Sequence, residues 1–294
     1  LRLTEDEFWF SISDSDLLLW LQGVNVSKKY DVEIDEIDVC PVQIQGPLSE
    51  DLMAKLAGEE LREVPYYGIL ETKVGGADCV ISQTGFTGEK GYEIYVRDAH
   101  ENAEKMWNAV LEAGEEFGLM VIAPAHHRRI AAGILSWGQD LDHETSPFQV
   151  NLSYQVPRNK AADYIGKEEL EKQRAMMDDG KAPFKMKMVG LTLGGKEITD
   201  YAPDFWIVTN TDGDEVGYVT SPWWSPELET NIALAWVPWE ASEVGTKYMV
   251  KLPDEYAESP GVAVNAEIVD VPFRESVNPN KREVQAAKGL DFAD

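Results

Sequence analysis

Gly85-Phe86-Thr87-Gly88-Glu89-Lys90-Gly91-Tyr92-Glu93-Ile94-Tyr95 packs three glycines into a short loop and runs directly into a strand-like alternation. A phosphate cradle needs such a loop to open a helix, because the N–H groups of the helix N-terminus hold the anion. Here the glycines precede a strand, so the loop fits neither the Walker nor the dinucleotide-binding pattern. Two readings of the loop stay open: a backbone that approaches a planar ligand closely, or a strained hairpin. Glu93 is the sharper feature. Its neighbours Tyr92 and Ile94 point to the other face of the strand. Where the Glu93 face is buried, its carboxylate needs a partner, and a ligand with ring N–H and amino donors would serve.

Outward from this stretch the pattern is mixed. Residues 1–13 read as a turn between two alternating strands, residues 14–23 as a helix with a Ser or Asp cap, and Val32, Ile34 and 37–42 as one or two strands. Leu48, Leu52, Met53 and Leu56 share a helical face, with Ser49 as cap and Gly58 as stop. Ala103, Met106, Trp107, Val110 and Leu111 give the clearest helix, over 100–117, and further helices are expected over 124–135 and 166–174. After residue 180 the texture changes to short strand-like segments at 186–193, 205–208, 215–220, 231–237, 247–251 and 262–269. That spacing predicts a small β-barrel or sandwich. The expected organisation is an α+β region over 1–180, a C-terminal β-barrel over 181–275 and a tail over 276–294.

Composition narrows the function. Against 53 Asp and Glu stand 26 Lys and Arg, a net charge of −27 over 294 residues, which disfavours nucleic acid and anionic membrane as partners. No apolar run approaches the length of a spanning helix, and a cytoplasmic protein is expected. Cys40 and Cys79 are too few for a disulfide framework and are read as reduced and buried. His100, His126, His127 and His143 lack metal-ligand spacing and are read as surface or helix-terminal residues. Asp140, Asp142 and Glu144 alternate like the start of a calcium loop but lack its glycine and closing glutamate, so a solvated loop is expected. Trp223, Trp224, Trp236 and Trp239 have no basic residues around them and are assigned to packing.

Five segments in order carry a family resemblance: Val42–Ser49 (VQIQGPLS), Gln83–Tyr95 (QTGFTGEKGYEIY), Arg128–Asp140 (RRIAAGILSWGQD), Asp163–Leu170 (DYIGKEEL) and Gly217–Pro226 (GYVTSPWWSP). Together they resemble the folate-binding aminomethyltransferase family, that of the glycine cleavage T-protein, and more closely its tetrahydrofolate-dependent demethylase branch, typified by dimethylsulfoniopropionate demethylase. The resemblance implies two α+β subdomains followed by a C-terminal β-barrel, with tetrahydrofolate as cofactor. It implies that Glu93 binds the pterin amino and ring nitrogens, with Phe86 and Tyr92 nearby. It also places Trp137 where a tyrosine is usual, and matches Arg129 to an arginine on the preceding helix, which could equally serve a structural salt bridge. The catalytic group is not identified.

The departures from the family pattern matter as much. The family's glutamate is replaced by Ala131, and a folate-contacting arginine of glycine-cleavage members by Ala125, which argues against aminomethyl transfer. Family chains also carry a long segment ahead of the point that matches Leu1, including an aspartate near the folate, so the sequence reads as N-terminally incomplete or shortened. The implied activity is transfer of a methyl group from a small donor, such as dimethylsulfoniopropionate, to N5 of tetrahydrofolate. The alternatives are an aminomethyltransferase acting with a lipoyl protein, and a non-catalytic folate-binding module of a larger assembly. Small-molecule donor apart, no nucleic-acid or membrane partner is expected, and assembly as a homo-oligomer stays open.

Overall fold

The computed structural model describes residues 1–12 and 16–273, so the expected tail lies outside the described residues. Contacts divide the chain into two units, Leu1–Ala123 and a second that begins at Pro124.

In the first unit, β1 (Val39–Gln45), β2 (Ile69–Val74), β3 (Ala77–Ser82) and β4 (Gly91–Arg97) form an antiparallel sheet in the order β1-β4-β3-β2. The helices are α1 (Leu17–Lys28), α2 (Ser49–Ala57) and α3 (Ala99–Gly114). Leu52 and Met53 of α2 and Met106 and Val110 of α3 share one core with Ile44, Ile81, Tyr92, Ile94 and Val96 of the sheet. Strand alternation thus sends Tyr92, Ile94 and Val96 to the helices and Glu93 and Tyr95 to the opposite face. The N-terminal segment reaches that opposite side: the Arg97 guanidinium lies 4.5 Å from the Trp9 ring centroid, and Ser11 hydrogen-bonds Tyr95.

Several local expectations shift. Residues 1–12 hold a turn in which Thr4 Oγ1 accepts from the N–H groups of Asp6 and Glu7, with one bridge, Arg2 to Phe8, in place of two strands. Helix α1 is capped by Asp16, whose carboxylate accepts from Leu19 N–H, and it passes through Gly23 to Lys28. Val32 and Ile34 lie in no strand. Ser49 is the first residue of α2 instead of its cap, and its hydroxyl donates to the Lys90 carbonyl at 3.0 Å, tying the helix start to the end of the glycine loop. Cys79 is buried as expected, but Cys40 is exposed, on β1 at the edge of the sheet, beyond which no further strand lies among the described residues.

The second unit opens with α4 (His126–Ala131) and α5 (Lys167–Asp178) and continues into β5 (Met186–Leu193), β6 (Trp206–Thr209), β7 (Glu215–Ser225), β8 (Thr230–Pro238), β9 (Lys247–Val250) and β10 (Val264–Val269). These six strands close into a barrel in the order β10-β5-β8-β7-β6-β9. Helix α4 is shorter than the expected 124–135, because Gly133 turns the chain at φ 69°. In β8, Ala233, Ala235 and Val237 fill the barrel interior with Val189, Leu191 and Val250, while Ile232, Leu234 and Trp236 face a second cluster with Ile130, Ala131 and Val150. A strand covered on both faces is apolar throughout, which accounts for its unbroken apolar run. Among the described residues, no helix is long and apolar enough to cross a membrane.

Candidate functional site

Two arrangements of polar side chains stand out, one in each unit. In the first, Glu93 on β4 pairs across the sheet with Gln43 on one side and Ser82 on the other. Its carboxylate is half-buried and is held at Oε2 by the hydroxyls of Thr84 and Tyr95, the latter at 3.3 Å. Oε1 receives no hydrogen bond among the described residues. Burial is the main cause that pushes the Tyr95 phenol above its ordinary value, reinforced by the Glu93 charge, so Tyr95 remains a donor.

The glycine loop bends over this face for steric reasons that can be read residue by residue. A Cβ on Gly85 would lie 2.6 Å from Gln43 Nε2, so the loop backbone lies close against the side chain next to Glu93 in the sheet. Gly88 adopts φ 71°, and a Cβ on Gly91 would lie 2.7 Å from the Ile44 carbonyl oxygen. Phe86 is half-buried within the loop. Tyr92 lies elsewhere: its side chain is fully buried in the helix-facing core, and its hydroxyl accepts from Gln83 Nε2 at 3.2 Å. Expected beside Glu93, it instead supports the strand from behind.

The second arrangement centres on Arg129 of α4, only 1% exposed. Its Nη1 donates to Asp140 Oδ2 at 2.5 Å and to the Ile134 carbonyl at 3.1 Å, and its Nη2 donates to Ser221 Oγ at 2.8 Å. Asp140 in turn accepts from Ser221 Oγ at 2.5 Å, Thr220 Oγ1 at 2.6 Å and the Ser136 N–H at 2.8 Å. Consecutive side chains on a regular strand point to opposite faces. Thr220 and Ser221 converge because β7 carries a bulge there: Val219 pairs with Ala235 and Ser221 with Leu234, leaving Thr220 as the extra residue. Asp140 is therefore no part of a solvated loop, unlike its exposed neighbours Asp142 and Glu144. Its side-chain partners lie 11 positions upstream and some 80 downstream, so the sequence around it does not reveal the buried pair.

Beside this anchor, His126, Arg129, Gln139, Tyr201, Ser221 and Trp223 line a depression. The Tyr201 hydroxyl lies 2.7 Å from His126 Nε2, and the His126 and Trp223 ring centroids are 5.8 Å apart. Burial, then the Arg129 charge, hold the His126 imidazole below its ordinary value. Trp137 is half-buried and bridges to Leu141, close in sequence to Asp140 but on no helix. Among the described residues, no cluster of His, Cys, Asp and Glu could hold a metal ion.

With these geometries in view, the matches to known proteins are direct. The GCVT N-terminal domain model matches residues 1–160, and the glycine cleavage T-protein C-terminal barrel domain model matches residues 187–274. The chain belongs to the glycine cleavage T-protein (GCVT) family. Among its relatives, the dimethylsulfoniopropionate demethylase DmdA of Ruegeria pomeroyi is 34% identical over 253 residues, covering 86% of this chain and 66% of that protein. An aminomethyltransferase of Geobacillus sp. is 30% identical over 283 residues, covering 92% and 72%. The crystal structure of glycine cleavage system aminomethyltransferase T from Bartonella henselae shares the fold at a TM-score of 0.64 and 22% identity, over 87% of this chain and 66% of that one. This GCVT chain thus spans about two thirds of the demethylase it matches. Its six-stranded barrel is the C-terminal barrel of the family, and its α+β class is the family's.

Proposed function

We propose that this chain is the folate-binding part of a tetrahydrofolate-dependent one-carbon transferase, with the pterin on the Glu93 face and a methyl group passing from a small donor to N5. The observation that carries this reading is the Glu93 carboxylate, fixed at Oε2 by Thr84 and Tyr95 while Oε1 has no hydrogen bond among the described residues. A pterin presents an amino group and a ring N–H side by side, and a carboxylate accepts such a pair with charge assistance. Phe86 in the overlying loop offers ring surface, and Gly85 keeps the loop close to Gln43.

When bound, the folate supplies the nucleophile, the lone pair of N5. For a sulfonium donor the C–S bond breaks as the N5–C bond forms, the sulfur leaves as a neutral sulfide and the N5 proton is released to solvent, so the chain's task would be to align donor and acceptor and to limit competing water. Ala125, where glycine-cleavage members carry a folate-contacting arginine, and Ala131, where the family carries a glutamate, argue against aminomethyl transfer. A relative named aminomethyltransferase at 30% identity keeps the second reading in view, and the product decides between them: 5-methyl- or 5,10-methylene-tetrahydrofolate.

The test is anaerobic calorimetric titration of the full chain with tetrahydrofolate beside Glu93→Gln, which keeps the shape and removes the charge. Loss of a hydrogen bond to a charged group weakens binding about tenfold or more. Equal affinity in both proteins removes Glu93 as the pterin contact.

A further inference from the structure

We propose that the exposed face of α1 is a docking surface for a second copy of this chain, with the two α1 helices packed antiparallel about a two-fold axis. Helix α1 carries four leucines, yet none of its residues is buried and none joins a core cluster among the described residues. Leu19, Trp20 and Val26 are 63%, 49% and 77% exposed. A helix of 12 residues is marginal in water without an apolar face to pack, and Gly23 in its interior weakens it further. Its apolar side chains call for a cover that the described residues do not supply.

The pattern of this face selects the cover. Asp16, Leu19, Gly23, Val26 and Tyr30 follow one another at alternating three- and four-residue steps, the seam along which helices pair. A two-fold axis between Gln22 and Gly23 sets Leu19 of one copy against Val26 of the other, and Asp16 against Lys29. The face is thus complementary to itself, as an isologous contact requires. At the crossing point a Cβ on Gly23 would meet nothing within 4 Å, so two backbones can approach closely there. The following loop is folded back along the helix: Asn25 Oδ1 accepts from the Tyr30 N–H at 2.7 Å, Asn25 Nδ2 donates to the Tyr30 carbonyl at 3.1 Å, and Gln22 Nε2 donates to the Ile34 carbonyl at 3.0 Å.

Area and charge agree with this occupant. Leu19, Trp20, Val26, Tyr30 and Val32 together expose on the order of 500 Å², so two copies would cover about 1,000 Å², where specific interfaces begin. Asp16 and Lys29 are exposed, so their pairing fixes register more than affinity. Each copy carries a net charge of −27, so salt that screens this repulsion strengthens the contact, whereas salt would release a basic partner. The proposal does not use Glu93 and stands or falls apart from the folate reading.

The experiment is sedimentation velocity of the full chain over about 1 to 100 μM, at about 0.1 M and about 1 M NaCl. A shift from monomer to dimer mass with concentration is expected, more complete at high salt. Val26→Glu is expected to raise the dissociation constant about tenfold or more, because its charge would be buried against Leu19 of the other copy. Gly23→Leu discriminates further. Leucine favours the helix and enlarges the apolar face, so it strengthens an unspecific association but weakens, about tenfold or more, one in which two backbones meet at Gly23. Both positions are exposed, and circular dichroism checks that the fold is kept. A monomer at every concentration and both salts overturns the proposal, as does a dimer that neither variant weakens or that high salt dissociates.

Discussion

Replacing Asp140 by alanine removes the acceptor for four donors at once: Arg129 Nη1, Thr220 Oγ1, Ser221 Oγ and the Ser136 N–H. The ion pair has side-chain exposures of 1% and 0%, so solvent cannot replace the lost carboxylate. Breaking a buried pair from one side costs about 3–5 kcal/mol, because the remaining charge is stranded. For a unit of this size each kcal/mol lowers the midpoint by about 2–4 °C, so Asp140→Ala lowers Tm of the barrel-containing unit by about 6–20 °C. Tryptophan fluorescence reports it, since Trp236 Nε1 donates to the Asp140 carbonyl at 3.0 Å. The double variant Arg129→Met with Asp140→Leu removes both charges and is expected to be more stable than Asp140→Ala alone. A loss below about 1 kcal/mol in the single variant, or strict additivity in the double, refutes the account of a coupled buried anchor.

Further outcomes follow from other positions. Gly217→Ala places a Cβ against the Trp236 carbonyl oxygen, a backbone atom that cannot swing aside, and is expected to cost about 1–3 kcal/mol or more in urea unfolding. Cys40 is exposed and Cys79 is buried with its thiol pushed up by burial, so a thiol reagent titrates Cys40 in the native chain and Cys79 only after denaturation. His126 titrates below its ordinary value in the folded state. The unfolded chain therefore binds its proton first as pH falls, and this residue's contribution to stability, full above the unfolded value, is lost as pH drops towards the folded one. His126→Gln flattens that part of the stability profile in acid titrations followed by circular dichroism.

The barrel was legible because its strands alternate between turn signals. The segment 186–193 coincides with β5, and the others lie within a few residues of β6 to β10. Helix α3 was legible for the same reason, as Met106 and Val110 repeat at helical spacing and are buried. Glu93 was legible as a carboxylate inside a strand, but its holders Thr84 and Tyr95 became clear only with the sheet register. What escaped depends on distant contacts. Asp140 resembles its solvated neighbours until a bulge in β7 brings two hydroxyls to it. Cys40 looked like core because cysteine is usually buried, yet an edge strand leaves it open. Tyr92 was expected in the cofactor site, but its ring lies in the helix-facing core, as the alternation of strand side chains requires.

The bulge at Thr220 also bears on how separable the barrel is. Its two hydroxyls, both buried, are held by a carboxylate from the segment that links α4 to the barrel, and among the strands only the Leu234 carbonyl of β8 also lies within reach of Thr220, at 3.2 Å. A chain trimmed to begin at β5 would keep every strand yet leave the Ser221 hydroxyl in its wall without Asp140 and Arg129. The barrel thus takes part of its closure from outside its own strands, from the stretch that begins at Pro124.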